Sequence, residues 1–122
     1  DVMHTHDDMP LVTSGSQLTT ALEEMSAKGL GMTGIVNAEG HLIGIYTDGD
    51  VRRSINQSID VQTTVIDQVM VSDPRSTTAD ALAAEVVQLM RQHSINGLFA
   101  VDPEQRPIGA LNALDLMRAG IF

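Results

Sequence analysis

The chain has 122 residues, 43% of them apolar and none a cysteine, which suits one compact domain or two small units sharing a core and removes disulfides and thiolate chemistry. Sixteen acids against seven bases give a net charge of −9, so a phosphate-neutralising patch is lacking, and 2% aromatics leave no base-stacking platform. No apolar run reaches the length of a membrane span and no basic-then-apolar leader opens the chain, so nucleic acid and membrane are excluded as partners and a cytoplasmic location is expected.

In chain order, a polar start, His4-Thr5-His6-Asp7-Asp8, precedes a short extended piece at Met9–Val12. Ser16 is a fitting N-cap for a helix with Leu18, Leu22 and Met25 on one face, ended by Gly29 and Gly31. Strands follow at Gly34–Asn37 and His41–Tyr46 around the turn Ala38-Glu39-Gly40, then a short helix at Asp48–Ile55. Polar residues from Asn56 to Thr63 read as a connector, and Thr64-Val65-Ile66-Asp67 as a capping box. A second series runs from an extended piece at Arg75–Thr77 to a helix capped by Thr78, with Leu82, Val86, Leu89 and His93 on one face. Its strands are Leu98–Val101 and Ile108–Leu111 around Asp102-Pro103-Glu104-Gln105, and its last helix is Ala113–Ala119.

The second series repeats the first. A constant offset of 65 pairs Met25 with Met90, Val36 with Val101, Gly44 with Gly109, Asp50 with Asp115 and Arg53 with Arg118. Upstream, Val2-Met3 pairs with Val69-Met70 at an offset of 67. One copy is too small to bury both faces of a sheet and two helices, so a pseudo-two-fold pair, residues 1–63 and 64–122, is the expected architecture. The fold class is α/β, or α+β by some conventions.

This β-α-β-β-α repeat resembles the cystathionine β-synthase (CBS) domain, which occurs in tandem pairs. The carrying motif is Gly44-Ile45-Tyr46-Thr47-Asp48-Gly49-Asp50; the second copy, Gly109 to Asp115, keeps the Asp and puts Asn112 in place of the hydroxyl residue. More narrowly, Asp1-Val2-Met3-His4-Thr5, Leu30-Gly31-Met32-Thr33, the run from Gly44 to Arg53, and Asp115-Leu116-Met117-Arg118-Ala119-Gly120 look like the C-terminal part of bacterial D-arabinose 5-phosphate isomerases. In that family a sugar isomerase (SIS) domain precedes the CBS pair and holds the catalytic residues, so the resemblance implies no catalytic residue in this chain. A chain opening on Asp1 fits the same expectation of a piece of something longer. The implied parent reaction interconverts ribulose 5-phosphate and arabinose 5-phosphate on the way to the acidic sugar Kdo.

Thr47, Asp48 and Asp50 suit helix capping as they stand. The same geometry suits a phosphate at the helix start and a ribose diol on a carboxylate, and the resemblance implies those roles for Thr47 and Asp50. Arg52, Arg53 and Arg118 can pair with nearby acids or meet an anionic ligand by a bidentate bond. Thr33 and Gly34 in copy one, and Ser94 and Asn96 in copy two, join the long helix to its strand. By resemblance these junctions line a base-binding cleft; on their own they are helix stops. Two clefts are expected, one on Thr47 and Asp50 with the full motif, one on Asn112 and Asp115 with a degenerate motif. His4, His6, Asp7 and Asp8 read as a loose polar terminus able at most to bind adventitious metal, with no metal site expected.

The expected function is regulatory sensing of a small anionic nucleotide or nucleotide sugar for an isomerase, with CMP-Kdo, CMP or an adenine nucleotide as candidate ligands and no required cofactor. The alternative is a purely structural module joining isomerase subunits. Homo-oligomerisation is expected through the short helices, on the apolar residues Val51, Ile55, Leu116 and Ile121.

Overall fold

A computed structural model of the chain describes residues 3–120; the expected roles of Val2 and Ile121 lie outside the described residues. The described backbone forms two compact units. One runs from Pro10 to Pro74; the other joins the chain from Arg75 onward to the segment ending at Met9.

The Pro10–Pro74 unit contains β1 (Leu11–Thr13), α1 (Leu18–Lys28), β2 (Met32–Val36), β3 (Leu42–Thr47), α2 (Asp48–Asn56) and β4 (Val71–Ser72). Its sheet has the order β1-β2-β3-β4, with β1 parallel to β2 and the other pairs antiparallel. Leu18, Ala21 and Met25 share the buried face of α1 and pack with Val12, Ile35, Tyr46 and Ile66. The N-cap of α1 is Gln17 rather than Ser16, whose hydroxyl pairs with Thr13 Oγ1 at 3.3 Å. At the other end Gly29 takes the left-handed φ of 70° and returns its N–H to the Met25 carbonyl.

Residues 64–74 belong to this first unit because their backbone bonds to it. Leu18 N–H donates to Thr64 O and Ile66 N–H to Ser16 O, both at 2.8 Å, and Ile66 is fully buried. The expected capping box at Thr64–Asp67 is displaced by one residue. A 3-10 turn covers Ile66–Gln68, and Gln68 Oε1 accepts from Val65 N–H at 3.0 Å. Asp67 instead reaches across the chain, accepting from the Ser14 hydroxyl and from Gly15 N–H at 2.7 Å.

The other unit contains β5 (Ser76–Thr78), α3 (Ala83–His93), β6 (Gly97–Val101), β7 (Pro107–Asn112) and α4 (Ala113–Arg118). The sheet order is β5-β6-β7, again parallel then antiparallel. Its core gathers Val86, Val87, Met90, Leu98, Ala100, Leu111 and Leu116. The helix starts later than the sequence suggests: its N-cap is Leu82, while Thr78 ends β5 and bonds Asp80 at 2.7 Å. Leu82 is therefore off the buried face and 68% exposed, because it precedes the first turn instead of belonging to the second. Glu85 Oε1 accepts the Leu82 N–H at 3.0 Å.

The 65-residue offset holds at the level of single hydrogen bonds. Both antiparallel pairs carry the same register and the same irregularity, between Ile35 and Val36 and between Ala100 and Val101. Asn37 Oδ1 accepts from Glu39 and His41 N–H; Asp102 Oδ1 accepts from Glu104 and Arg106 N–H. No helix among the described residues is long and apolar enough to cross a membrane.

Two predictions follow from caps and clasps. Ser94 takes a left-handed φ of 54° as the C-cap of α3, where the repeat has Gly29. A side chain pays about 1 kcal/mol in that region, so Ser94→Gly should raise stability by up to about 1 kcal/mol. Gly29→Ala should lower it by about as much; chemical unfolding of both variants checks the opposite signs. The Asp67 carboxyl is held below its ordinary value, first by the Ser14 hydroxyl and then by Gly15 N–H. A depressed folded value stabilises fully above the unfolded value of about 4 and is lost as pH falls through the folded one. Asp67→Ala should thus cost roughly 0.5–1 kcal/mol at pH 7, and urea titrations should show the gap closing in acid.

Candidate functional site

Strand β3 turns into helix α2 with no intervening loop. Thr47 is both the last strand residue and the N-cap, with φ −122° and ψ 171°. The Asp48 N–H donates to the Gly31 carbonyl at 3.0 Å, pinning the corner to the end of α1's exit. Thr47 Oγ1 accepts the Asp50 N–H at 3.4 Å, and Asp50 Oδ2 accepts from Thr47 N–H at 2.9 Å and from the Thr47 hydroxyl at 3.0 Å. This is a reciprocal capping box. Asp50 Oδ1 takes Arg53 Nη2 in an i to i+3 ion pair, in which Asp50 is 6% exposed and Arg53 65%.

The corner rests on a buried polar pair that the sequence did not announce. Tyr46 OH and Ser54 Oγ lie 2.8 Å apart, both buried, tying the strand to the second turn of α2. Gly31 takes the left-handed φ of 73°, which favours glycine at this turn, and it faces the exposed Asp48 carboxylate.

Other candidate residues are placed differently. Thr33 is fully buried and its hydroxyl donates to the Gly34 carbonyl at 3.3 Å. Gly34 is an interior strand residue paired with Leu11 and Ile45. Asp48 and Arg52 are exposed. Ser94 is exposed and serves as a backbone cap, as described above.

The second corner copies the first in backbone and departs from it in side chains. Ala113 N–H donates to the Asn96 carbonyl at 2.8 Å, and Asn112 Oδ1 accepts the Asp115 N–H at 2.9 Å. Asn is as good an N-cap as Thr, so the loss of the hydroxyl leaves the helix start intact. Asp115 does not close the box or meet Arg118. Its Oδ2 receives His4 Nε2 at 2.6 Å. His4 is therefore no loose end: it forms an antiparallel bridge to Ala110, with both backbone bonds at 2.8 Å. A contact 111 positions apart has no local signature in the sequence. Among the described residues no group of three His, Asp or Glu side chains is arranged to hold a metal.

Of the apolar residues expected to carry association, Leu116 is fully buried in its own core and Val51 packs against the first core. Ile55 is 64% exposed, and Leu114 and Met117 on α4 are 49% and 56% exposed.

Comparison with known proteins places these corners in context. Residues 1–57 and 66–121 each match the family model of the CBS domain. The chain is 48% identical over all 122 of its residues to arabinose 5-phosphate isomerase KdsD of Pseudomonas aeruginosa, and spans 37% of that relative's length. The CBS domain pair of MJ0100, solved with 5′-methylthioadenosine and S-adenosyl-L-methionine, superposes with a TM-score of 0.84 at 21% identity, covering 98% of this chain and 96% of that one. CBSX2 in complex with AMP gives 0.81 at 18% identity, covering 99% and 93%. These two likenesses establish the fold.

Removing the Asp50 carboxylate takes away half of the capping box and the Arg53 partner. Asp50→Ala should cost about 1–2 kcal/mol. A lowered thermal midpoint, with the helical circular dichroism retained below it, is the expected result.

Proposed function

The chain belongs to the CBS-domain family, as a tandem pair, and on that premise we propose that it is the regulatory, nucleotide-sensing module of an arabinose 5-phosphate isomerase. The isomerase parentage draws on the relative matched over the whole chain, of which the chain is about a third. In that reading the catalytic centre and the sugar isomerase domain lie in the remainder of the protein, and this module contributes control. Adenosine ligands on two structural neighbours support a nucleotide as the class of ligand. AMP, CMP and CMP-Kdo are the candidates, CMP-Kdo being the activated end product of the Kdo route.

One observation carries the reading: the Asp50 carboxylate is buried on one side by Thr47 and covered on the other by a largely exposed arginine. Oδ2 is committed to the cap. Among the described residues Oδ1 is held by Arg53 alone; the buried carboxylate must keep a donor, while the 65% exposed guanidinium is readily rehydrated. A ribose diol can take the place of Arg53 on Oδ1 at little cost, and the freed guanidinium can then meet the 5′-phosphate in a bidentate bond. Thr47 keeps the carboxylate oriented throughout.

A second reading, assembly of isomerase subunits into homo-oligomers, draws on the exposed Ile55, Leu114 and Met117. Titration separates the two. A thermal-shift screen of CMP, CMP-Kdo, AMP, ADP and ATP comes first, since a ligand at 100 times its dissociation constant stabilises by about 2.7 kcal/mol. Calorimetric titration of the best binder should then show Asp50→Ala losing about five- to a hundredfold in affinity, the cost of unpaired hydroxyls. Arg53→Ala should weaken the nucleotide while leaving the parent nucleoside unchanged. No binding by any of the five would return Asp50 to helix capping and favour assembly.

A further inference from the structure

We propose that His4 is a latch that straps the N-terminal segment to the second corner through Asp115. The argument starts from an asymmetry between equivalent positions. In the first unit β4 pairs with β3 through Val71 opposite Ile45. In the other unit His4 stands opposite Ala110, the position 65 residues after Ile45. His4 and Val71 therefore occupy the same place on the edge of their sheets. Val71 is apolar and 46% exposed; His4 carries a ring nitrogen that donates to Asp115 Oδ2 at 2.6 Å.

The carboxylates at the two corners are satisfied in two ways. Asp50 turns to Thr47 and Arg53. Asp115 turns to His4, while Arg118, the counterpart of Arg53, is exposed and makes no ion pair among the described residues. A one-residue bridge of two backbone bonds is weak by itself, so the strap needs side-chain anchors. His4 supplies one. Met3 supplies another by lying against Gly109, its Sδ only 2.7 Å from where a Cβ would stand, as Met70 lies against Gly44. Together they hold the strap at three successive depths: sulfur on a bare glycine, backbone on β7, and imidazole on the first turn of α4.

The consequence is coupling. His4 takes Asp115 Oδ2 in the first turn of α4, so the segment that carries His4 is fastened to the start of that helix as well as to β7. When His4 leaves Asp115, the strap loses its polar anchor.

Hydrogen exchange of the His4 and Ala110 amides, resolved by NMR, tests the latch without any ligand. His4→Ala and Asp115→Ala should each speed exchange at the Ala110 amide about two- to tenfold, the range for loss of one hydrogen bond. The double variant should be no faster than the faster single one, since the two changes remove one contact. Unchanged exchange in both single variants, or effects that multiply in the double, would overturn the latch.

Discussion

Everything that gives this chain a candidate site hangs on two main-chain bonds, Asp48 N–H to Gly31 O and Ala113 N–H to Asn96 O. Each joins the first N–H of a short helix to the turn that leaves the long helix. The bond satisfies one of the donors that a helix start leaves open. It also forces the strand before it to end at that residue. Thr47 and Asn112 are already extended as strand residues, with ψ near 171° and 161°, and an N-cap needs that same extended backbone. One residue thus closes the sheet and opens the helix, and no loop entropy is spent between them. The short helices could not persist alone at nine and six residues. They persist because their first turns are fixed from outside and because Ser54 and Leu116 bury their undersides.

Much of this was legible in the sequence, for a reason that lies in the repeat. A single Gly or Asp is weak evidence, but the same spacing met twice fixes the frame. All strands but β4, a two-residue edge piece too short to leave a pattern, were legible to within two residues, and the turns at Ala38–Gly40 and Asp102–Gln105 as they stand, since turn chemistry is local. The start of α3 was not. Thr78 is a better N-cap by type than Leu82, and periodicity admits Leu82 to the apolar face; the structure spends both before the helix begins. Local signals of equal strength competed there, and the longer approach from β5 decided between them.

The site was legible in residue type and only partly in arrangement. Thr47, Asp50 and Arg53 are brought together because three-residue spacing on one helix does so regardless of the rest of the chain. That Thr33 is fully buried was not legible, because strand alternation alone does not say which face a buried sheet offers to solvent. The Tyr46–Ser54 pair and the His4–Asp115 pair were invisible for a different reason. Each depends on where a strand edge or a distant segment arrives, and no window of sequence contains both partners of the second.

The two corners also show how a duplicated element can diverge without losing its frame. The backbone bonds are kept and only the acceptor's outer partner changes: arginine from within the helix at Asp50, histidine from a distant segment at Asp115. An arginine with four flexible side-chain torsions and a 65% exposed guanidinium can swing away into water. The histidine has its backbone fixed by two bonds to Ala110, so its ring moves on only two side-chain torsions. The two carboxylates thus keep one frame and differ in what meets them: a side chain of their own helix in one, a segment paired to the sheet edge in the other. Such divergence needs no new fold, only a different donor aimed at the equivalent carboxylate.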